Sequence, residues 1–261
     1  MLISLEFVVV LGANWMDPVC LYIFGKPIYW YGIMVALGFL ACVVHLTILG
    51  IREGRPPAFG SDLAFWIMLS GMLGARITYV VMNISYYLDD PWAMLRVDQG
   101  GLIYYGGFAF AFIAGIIFAR IHQINFLALC DYGISALPLG HAFGRLGCLF
   151  NGCCYGAISA LPWSIFQQGA RRHPVQLYEV IANLGIYAFL VFAYRRRKRD
   201  GEILALYCLA YPFVRFMIEF LRGDERLAWY GISVGQVVSL LIFAVGLVLW
   251  FALPRRLSRL Q

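Results

Sequence analysis

Long apolar stretches alternate with short polar ones along the whole chain. About twenty apolar residues cross a bilayer core, and seven stretches come close to that length: roughly residues 28–50, 62–82, 101–120, 126–149, 174–194, 203–221 and 232–253. The pattern predicts an all-α polytopic membrane protein with about seven transmembrane helices, forming a single integral-membrane domain over residues 1–261. Residues 27–253 would be the helix bundle and 254–261 a tail. Leu2–Ala13 is apolar but short, is interrupted by Glu6 and has no basic n-region. It therefore does not read as a cleavable signal peptide, and residues 1–26 are expected to be an interfacial arm.

Composition supports the same class. Hydrophobic residues make up 62% of the chain, charged residues 13%, and the mean hydropathy is +0.78. A soluble domain has about 45–50% apolar and ~25% charged residues. No loop is long enough to hold a separate soluble core.

Loop charge sets the expected orientation. With the N-terminus outside and seven spans, the inner loops receive eleven basic residues and the outer loops six; three more lie within spans, which accounts for all 20. The block Arg195–Arg199 carries most of the asymmetry and points to the cytoplasm, as does the C-terminus. The net charge of +6 is thus a topology signal. A basic cluster between two apolar spans is not a nucleic-acid surface.

The three arginines inside apolar stretches are Arg76, Arg145 and Arg215. A guanidinium at the bilayer centre costs at least ~2.5–3.5 kcal/mol, so such residues face inward and mark function. The fork of donors matches phosphate oxygens, which suggests a buried site for a lipid phosphate. The alternative is that each arginine pairs with a helix carboxylate such as Glu179 or Glu219.

The remaining unusual residues gather at one end of the predicted spans, the extracytoplasmic one. Gly100-Gly101-Leu102-Ile103-Tyr104-Tyr105-Gly106-Gly107 either lets backbone approach an anion at a helix start or packs helices through small residues. Gly140–Gly156 holds His141, Arg145, Asn151 and three cysteines. Asn151 offers donors and acceptors to ester or phosphate oxygens. Cys148, Cys153 and Cys154 are spaced C-x4-C-C, which matches no standard zinc pattern. They read as small apolar thiols or a disulfide, and no metal or organic cofactor is expected. In His173–Glu179, Pro174 suits a first helical turn, and His173 reads as a cap or a proton-transfer group. Tyr211, Arg215, Glu219 and Arg222 recur every three or four residues and share one helix face.

These segments together resemble the prolipoprotein diacylglyceryl transferase family. The resemblance rests on Gly144-Arg145-Leu146-Gly147 with Asn151-Gly152, Arg172–Glu179, and Tyr211 through Arg215 to Glu219 and Arg222. Trp30-Tyr31-Gly32 and Gly74-Ala75-Arg76 add to it. The likeness runs in order from about residue 27 to residue 253. It implies a seven-helix enzyme of the bacterial inner membrane, with its active site on the extracytoplasmic side. Such an enzyme moves the diacylglyceryl group of phosphatidylglycerol to the lipobox cysteine of a preprolipoprotein signal peptide, and glycerol phosphate leaves. By motif, Arg145 and Arg215 would be the central catalytic arginines. Tyr31, Tyr211, Asn151, Glu219 and Arg222 would surround the substrates, with Arg76, Gly106 and Gly107 as further binding residues.

The chain departs from the family pattern at three positions. Tyr105 stands where the glycine motif usually has histidine, Cys148 where asparagine is common, and Cys153 where glutamate is common. A phenol is a poor general base at neutral pH but a good hydrogen-bond donor, and Tyr105 is expected in that role. Two other readings use the same arginines: a non-catalytic protein that binds or moves phospholipid, and a related transferase with another thiol acceptor or lipid donor.

Overall fold

The computed structural model describes residues 18–253 apart from 24, 97–99, 227 and 230. The apolar segment Leu2–Ala13, Asp98 and the expected tail at 254–261 lie outside the described residues. Nine α-helices are described: α1 Trp30–Arg52, α2 Ala58–Met82, α3 Ile84–Asp89, α4 Tyr104–Ile121, α5 Phe126–Ile134, α6 Leu137–Phe150, α7 Val175–Tyr194, α8 Glu202–Glu219 and α9 Val234–Ala252. Three antiparallel hairpins accompany them: β1 Val19–Ile23 with β2 Lys26–Tyr29, β3 Ile165–Gln167 with β4 Ala170–Arg172, and β5 Ala228–Trp229 with β6 Ile232–Ser233.

Six segments are long and apolar enough to cross a membrane: α1, α2, α4, the run Phe126–Phe150 that joins α5 and α6, α7 and α9. The expected sixth span appears as α8, which has 18 residues. It stands apart from these six because three charged residues, Glu202, Arg215 and Glu219, lie on it. Its length and its otherwise apolar sequence give it a place in the expected count of seven.

The chain divides into two compact units. Among the described residues, the first is 18–42, Ile134–Arg197 and Glu202–Leu253; the second is Val43–Gly133 and Lys198–Gly201. In the second unit, α2 packs on α4 along a seam of small residues. A Cβ added at Gly74 would lie 2.4 Å from Phe110 Cβ, and one at Gly106 would lie 2.0 Å from Thr78 Oγ1. One at Gly107 would meet the Gly71 carbonyl at 2.8 Å. Lipid tails are as apolar as leucine, so helices in a bilayer gain most from such close backbone approach. Of the two sequence readings of the Gly100–Gly107 motif, helix packing accounts for these contacts of Gly106 and Gly107. Also in this unit, Asp131 is fully buried and accepts a 2.8 Å hydrogen bond from Gly201 N.

In the first unit, α6 packs on α7, α7 on α8, and α8 on α9. Pro212 lies inside α8 and has no N–H to donate to the Cys208 carbonyl four residues earlier. Gly246 of α9 comes against that point: a Cβ there would be 2.9 Å from Cys208 C. The helix pair thus closes tightly where α8 is weakest. At the opposite end of α9, Ser233 and Gln236 form a capping box, with Gln236 N donating to Ser233 Oγ (3.2 Å) and Ser233 N to Gln236 Oε1 (3.0 Å). Two orphan N–H groups are thereby satisfied.

Candidate functional site: a buried arginine–carboxylate network

Arg145 on α6 and Arg215 on α8 meet over one carboxylate of α7. Arg145 Nε lies 2.6 Å from Glu179 Oε2, and Arg215 Nη1 lies 3.8 Å from Glu179 Oε1. Arg215 Nη1 also lies 2.6 Å from Glu219 Oε2, one turn along the same helix. The Glu179 side chain is 3% exposed. A carboxylate taken out of water this completely needs cationic partners, and α6 and α8 each bring one.

The network continues past the end of α8. Arg222 lies 3.9 Å from Glu219 and grips Asp224 through two contacts, one of them Nε to Oδ1 at 2.9 Å. Burial pulls the Arg222 guanidinium down, but the Asp224 carboxylate more than offsets this, so it stays above its ordinary value. Arg226 closes on Glu219 and lies 3.6 Å from Asp224. Ser233 Oγ donates to Glu219 Oε1 at 2.7 Å. Four guanidinium groups therefore share three carboxylates, which leaves one positive charge in excess. A cavity of about 250 Å³ opens beside Arg222 and Arg226, lined also by Glu219, Asp224, Ser233 and Gln236 among others; Arg145 and Arg215 are not in its lining.

Geometry separates these cations from Arg76. In the second unit, every donor site of Arg76 is engaged by backbone: Nε by the Met94 carbonyl (2.8 Å), Nη1 by Gly100 and Gly101 (2.8 and 3.1 Å), and Nη2 by Ala93 and Arg96 (2.7 and 3.1 Å). Gly100 and Gly101 have φ of +82° and +78°, a left-handed conformation suited to glycine. A Cβ at Gly101 would lie 2.8 Å from Arg76 Nη1. Arg76 thus ties the carbonyls of Ala93, Met94, Arg96, Gly100 and Gly101 together and has no donor left over. Arg145 and Arg215 donate to no backbone carbonyl among the described residues. Their short contacts to Glu179 Oε2 and Glu219 Oε2 are ionic rather than aligned hydrogen bonds. Guanidinium N–H groups accordingly remain available to a further acceptor.

The other expected residues fall as follows. Tyr211 is on α8, its ring 5.4 Å from Tyr207 and 4.9 Å from His141 of α6. Tyr31 lies on α1, and a Cβ at Gly147 would be 3.0 Å from its ring, so that glycine of α6 makes room for it. Asn151 is the C-cap of α6, its N–H donating to the Gly147 carbonyl at 3.0 Å, and its side chain is exposed. Tyr105 lies in the first turn of α4 in the second unit, 72% exposed, with its ring 5.8 Å from Tyr104. Pro174 is the N-cap of α7 rather than its first helical residue, with no side-chain cap. The His173 ring therefore does not cap. Its Nδ1 lies 3.4 Å from Tyr178 Oη, which also accepts from Trp163 Nε1 at 2.8 Å.

A strip at residues 155–158 ties three helix ends together. Gly223 N donates to Tyr155 O (3.0 Å), Ala157 N to Leu221 O (2.8 Å) and His173 N to Ala157 O (3.0 Å). The backbones approach so closely that a Cβ on Gly156 would lie 2.3 Å from His173 O. Arg172 fastens the strip by donating to Gly156 O (3.2 Å) and stacking over Tyr155 (4.6 Å). The sequence marked the polar segment Arg222–Arg226 at the end of the sixth span but gave a role only to Arg222, not to Asp224 or Arg226, and it did not mark Ser233 or Gln236. The detectable signals were the charge run Arg222–Arg226 and the S-x-x-Q capping pattern.

Comparisons with known proteins point to one family. Residues 18–252 match the family model described as prolipoprotein diacylglyceryl transferase. A Clostridioides difficile (strain 630) protein named phosphatidylglycerol–prolipoprotein diacylglyceryl transferase is 35% identical over 237 residues, covering 89% of this chain and 94% of that protein. Identically named proteins of Finegoldia magna and Bordetella avium are each 34% identical, over 235 and 256 residues. They cover 90% and 93% of this chain, and 94% and 97% of the relatives.

Proposed function

The chain belongs to the prolipoprotein diacylglyceryl transferase family, and from that membership we propose that it moves the diacylglyceryl group of phosphatidylglycerol to a lipobox cysteine. The acceptor is the signal peptide of a preprolipoprotein. The carrying observation is the buried network in which Arg145 and Arg215 share Glu179 and keep donors free for one more anion.

In the reaction the cysteine sulfur attacks the glyceryl carbon that bears the phosphate ester. A C–S bond forms, the C–O bond to phosphate breaks, the thiol proton departs, and glycerol phosphate leaves with the electron pair on oxygen. Negative charge grows on the phosphate as the C–O bond opens. Arg145 and Arg215 are positioned to stabilise that charge, and fixed donors in a water-poor site are the strongest single contribution to such steps. Glu179 and Glu219 hold the guanidinium groups in place beforehand. A free thiol of pKa ~8.5 is a few per cent ionised at neutral pH, and nearby cations raise that fraction. The chemistry therefore does not depend on a strong base where Tyr105 replaces histidine; Tyr105 acts as a hydrogen-bond donor.

The cavity beside Arg222 and Arg226 suits a head group rather than a whole lipid, being smaller than the ~300–1,000 Å³ of pockets that enclose drug-sized ligands. Tyr31 and Tyr211, which act electrostatically on Arg145, are assigned to substrate binding beside it, and Asn151 to the ester or phosphate oxygens. Arg76, Gly106 and Gly107 serve by shaping the start of α4. The loop charges support a site on the extracytoplasmic face of a bacterial inner membrane, with lipid and peptide entering sideways from the bilayer.

The test is purified protein in phosphatidylglycerol liposomes with a lipobox peptide, read by mass spectrometry. A diacylglyceryl adduct on the peptide cysteine from wild type, absent with Arg145→Ala, is the expected result. Lipid binding without any adduct would identify a phospholipid carrier instead.

A further inference from the structure

Three cysteines that are distant from a zinc-finger pattern in sequence come together in space. The Sγ atoms of Cys148, Cys153 and Cys154 all lie within 4.8 Å of one another. Three sulfurs around one ion at a metal–sulfur distance of ~2.3 Å would sit about 4 Å apart, whereas a disulfide demands closure to ~2.05 Å. All three are free thiols, and their separation is within reach of ligands to one ion.

The turn that creates the cluster is firmly built. Cys148 lies on the last turn of α6; then Gly152 and Cys154 adopt φ of +67° and +56°, and the chain doubles back. A left-handed non-glycine residue is uncommon, and such strain gathers where a site demands it. Cys153 N donates to Cys148 O at 3.2 Å, closing the turn. Gln176, 1% exposed, donates to Cys153 O at 2.9 Å and to Gln167 Oε1 at 3.2 Å; Gln167 is also 1% exposed. Two buried amides thus fix the backbone that carries the thiols, while the thiols themselves are only half-buried.

We propose that Cys148, Cys153 and Cys154 form a binding site for a soft monovalent cation, copper(I), held by three thiolates. Thiolate donors select copper(I) and zinc among common metals. Zinc in a closed site takes a fourth protein ligand, and the cluster among the described residues has three. On binding, the three thiol protons pass to solvent and the centre carries two net negative charges. Arg145 and Arg222 act electrostatically on Cys154; both are already paired with carboxylates, and the one positive charge left in excess offsets part of the centre's charge.

The experiment is a titration of the full-length, reduced protein in detergent micelles with copper(I), under argon and against a chromophoric chelator. One tightly held copper per chain is expected. Replacing all three residues (Cys148→Ser, Cys153→Ser, Cys154→Ser) should weaken it more than a hundredfold, while serine at Cys20, Cys42, Cys130 and Cys208 leaves it intact. X-ray absorption of copper-loaded wild type, which needs no variant to fold, should show sulfur neighbours alone. Absence of stoichiometric uptake, retention in the triple-serine protein, or nitrogen and oxygen neighbours would overturn the proposal. Transferase activity is measured separately, so the fate of one assignment does not decide the other.

Discussion

Glu179 balances two guanidinium groups, Arg145 and Arg215, that the proposed reaction needs in a definite place. Removing it leaves Arg145 and Arg215 buried without that counter-charge, and breaking a buried pair from one side costs about 3–5 kcal/mol. Glu179→Ala should therefore lower the unfolding temperature in detergent, as well as abolish transfer. Arg145→Ala and Arg215→Ala should each reduce the transfer rate at least ~10²-fold, the loss typical of removing one preorganised donor. Arg145→Lys should recover only part of that rate, since an ammonium is a point charge without the planar fork. Initial rates in liposomes check all three. A protein that only binds lipid would show no such difference between lysine and arginine. Arg145, Arg215, Glu219 and Arg222 were visible in the sequence because each is a costly exception within or beside an apolar run. Glu179 was visible as a candidate partner, but which arginine it meets depends on how α6 and α8 close on α7. Arg76 carries the same sequence signal as Arg145, yet it is engaged by five carbonyls; the signal marks burial of a cation and does not reveal its partners.

At the scale of elements, glycine decides which helices approach. Gly106→Ala should force α2 and α4 apart at Thr78, where the added Cβ would be 2.0 Å from Oγ1; overpacking of this kind costs about 1–3 kcal/mol. Gly185→Ala, on α7 with nothing within 4 Å of the new Cβ, should be neutral or slightly stabilising, as mid-helix alanine gains ~0.5–1 kcal/mol over glycine. Thermal unfolding of the two variants, run together, reads the opposite signs. Ser233→Ala removes both the α9 cap and a hydrogen bond to Glu219, and should cost about 0.5–2 kcal/mol. Span positions were legible from apolar length alone. The three hairpins were not: they are two to five residues long and sit in polar connections, where no alternating pattern has room to develop.

The whole molecule places eleven basic residues on one predicted side and six on the other. The expected topology follows from that bias. In intact cells, a membrane-impermeant thiol reagent should label a cysteine introduced at the exposed Gln168 and not one at the exposed Arg196, in a background without native cysteines. The reverse pattern would invert the protein and place its arginine network toward the cytoplasm.

Helix α8 carries Glu202, Arg215 and Glu219, more charged residues than any other span among the described residues. An arginine or acidic residue at a span centre costs ~2.5–3.5 kcal/mol during insertion. A ribosome delivering α8 alone to the translocon would therefore present a segment that does not partition into lipid. Its entry is expected to await α9, which packs against it at Cys208 through Gly246, and to be helped by the Arg215–Glu219 pair at 2.6 Å. In a glycosylation-mapping assay α8 by itself should stay unintegrated, while the α8–α9 hairpin should integrate, and Arg215→Leu should free α8 from that dependence.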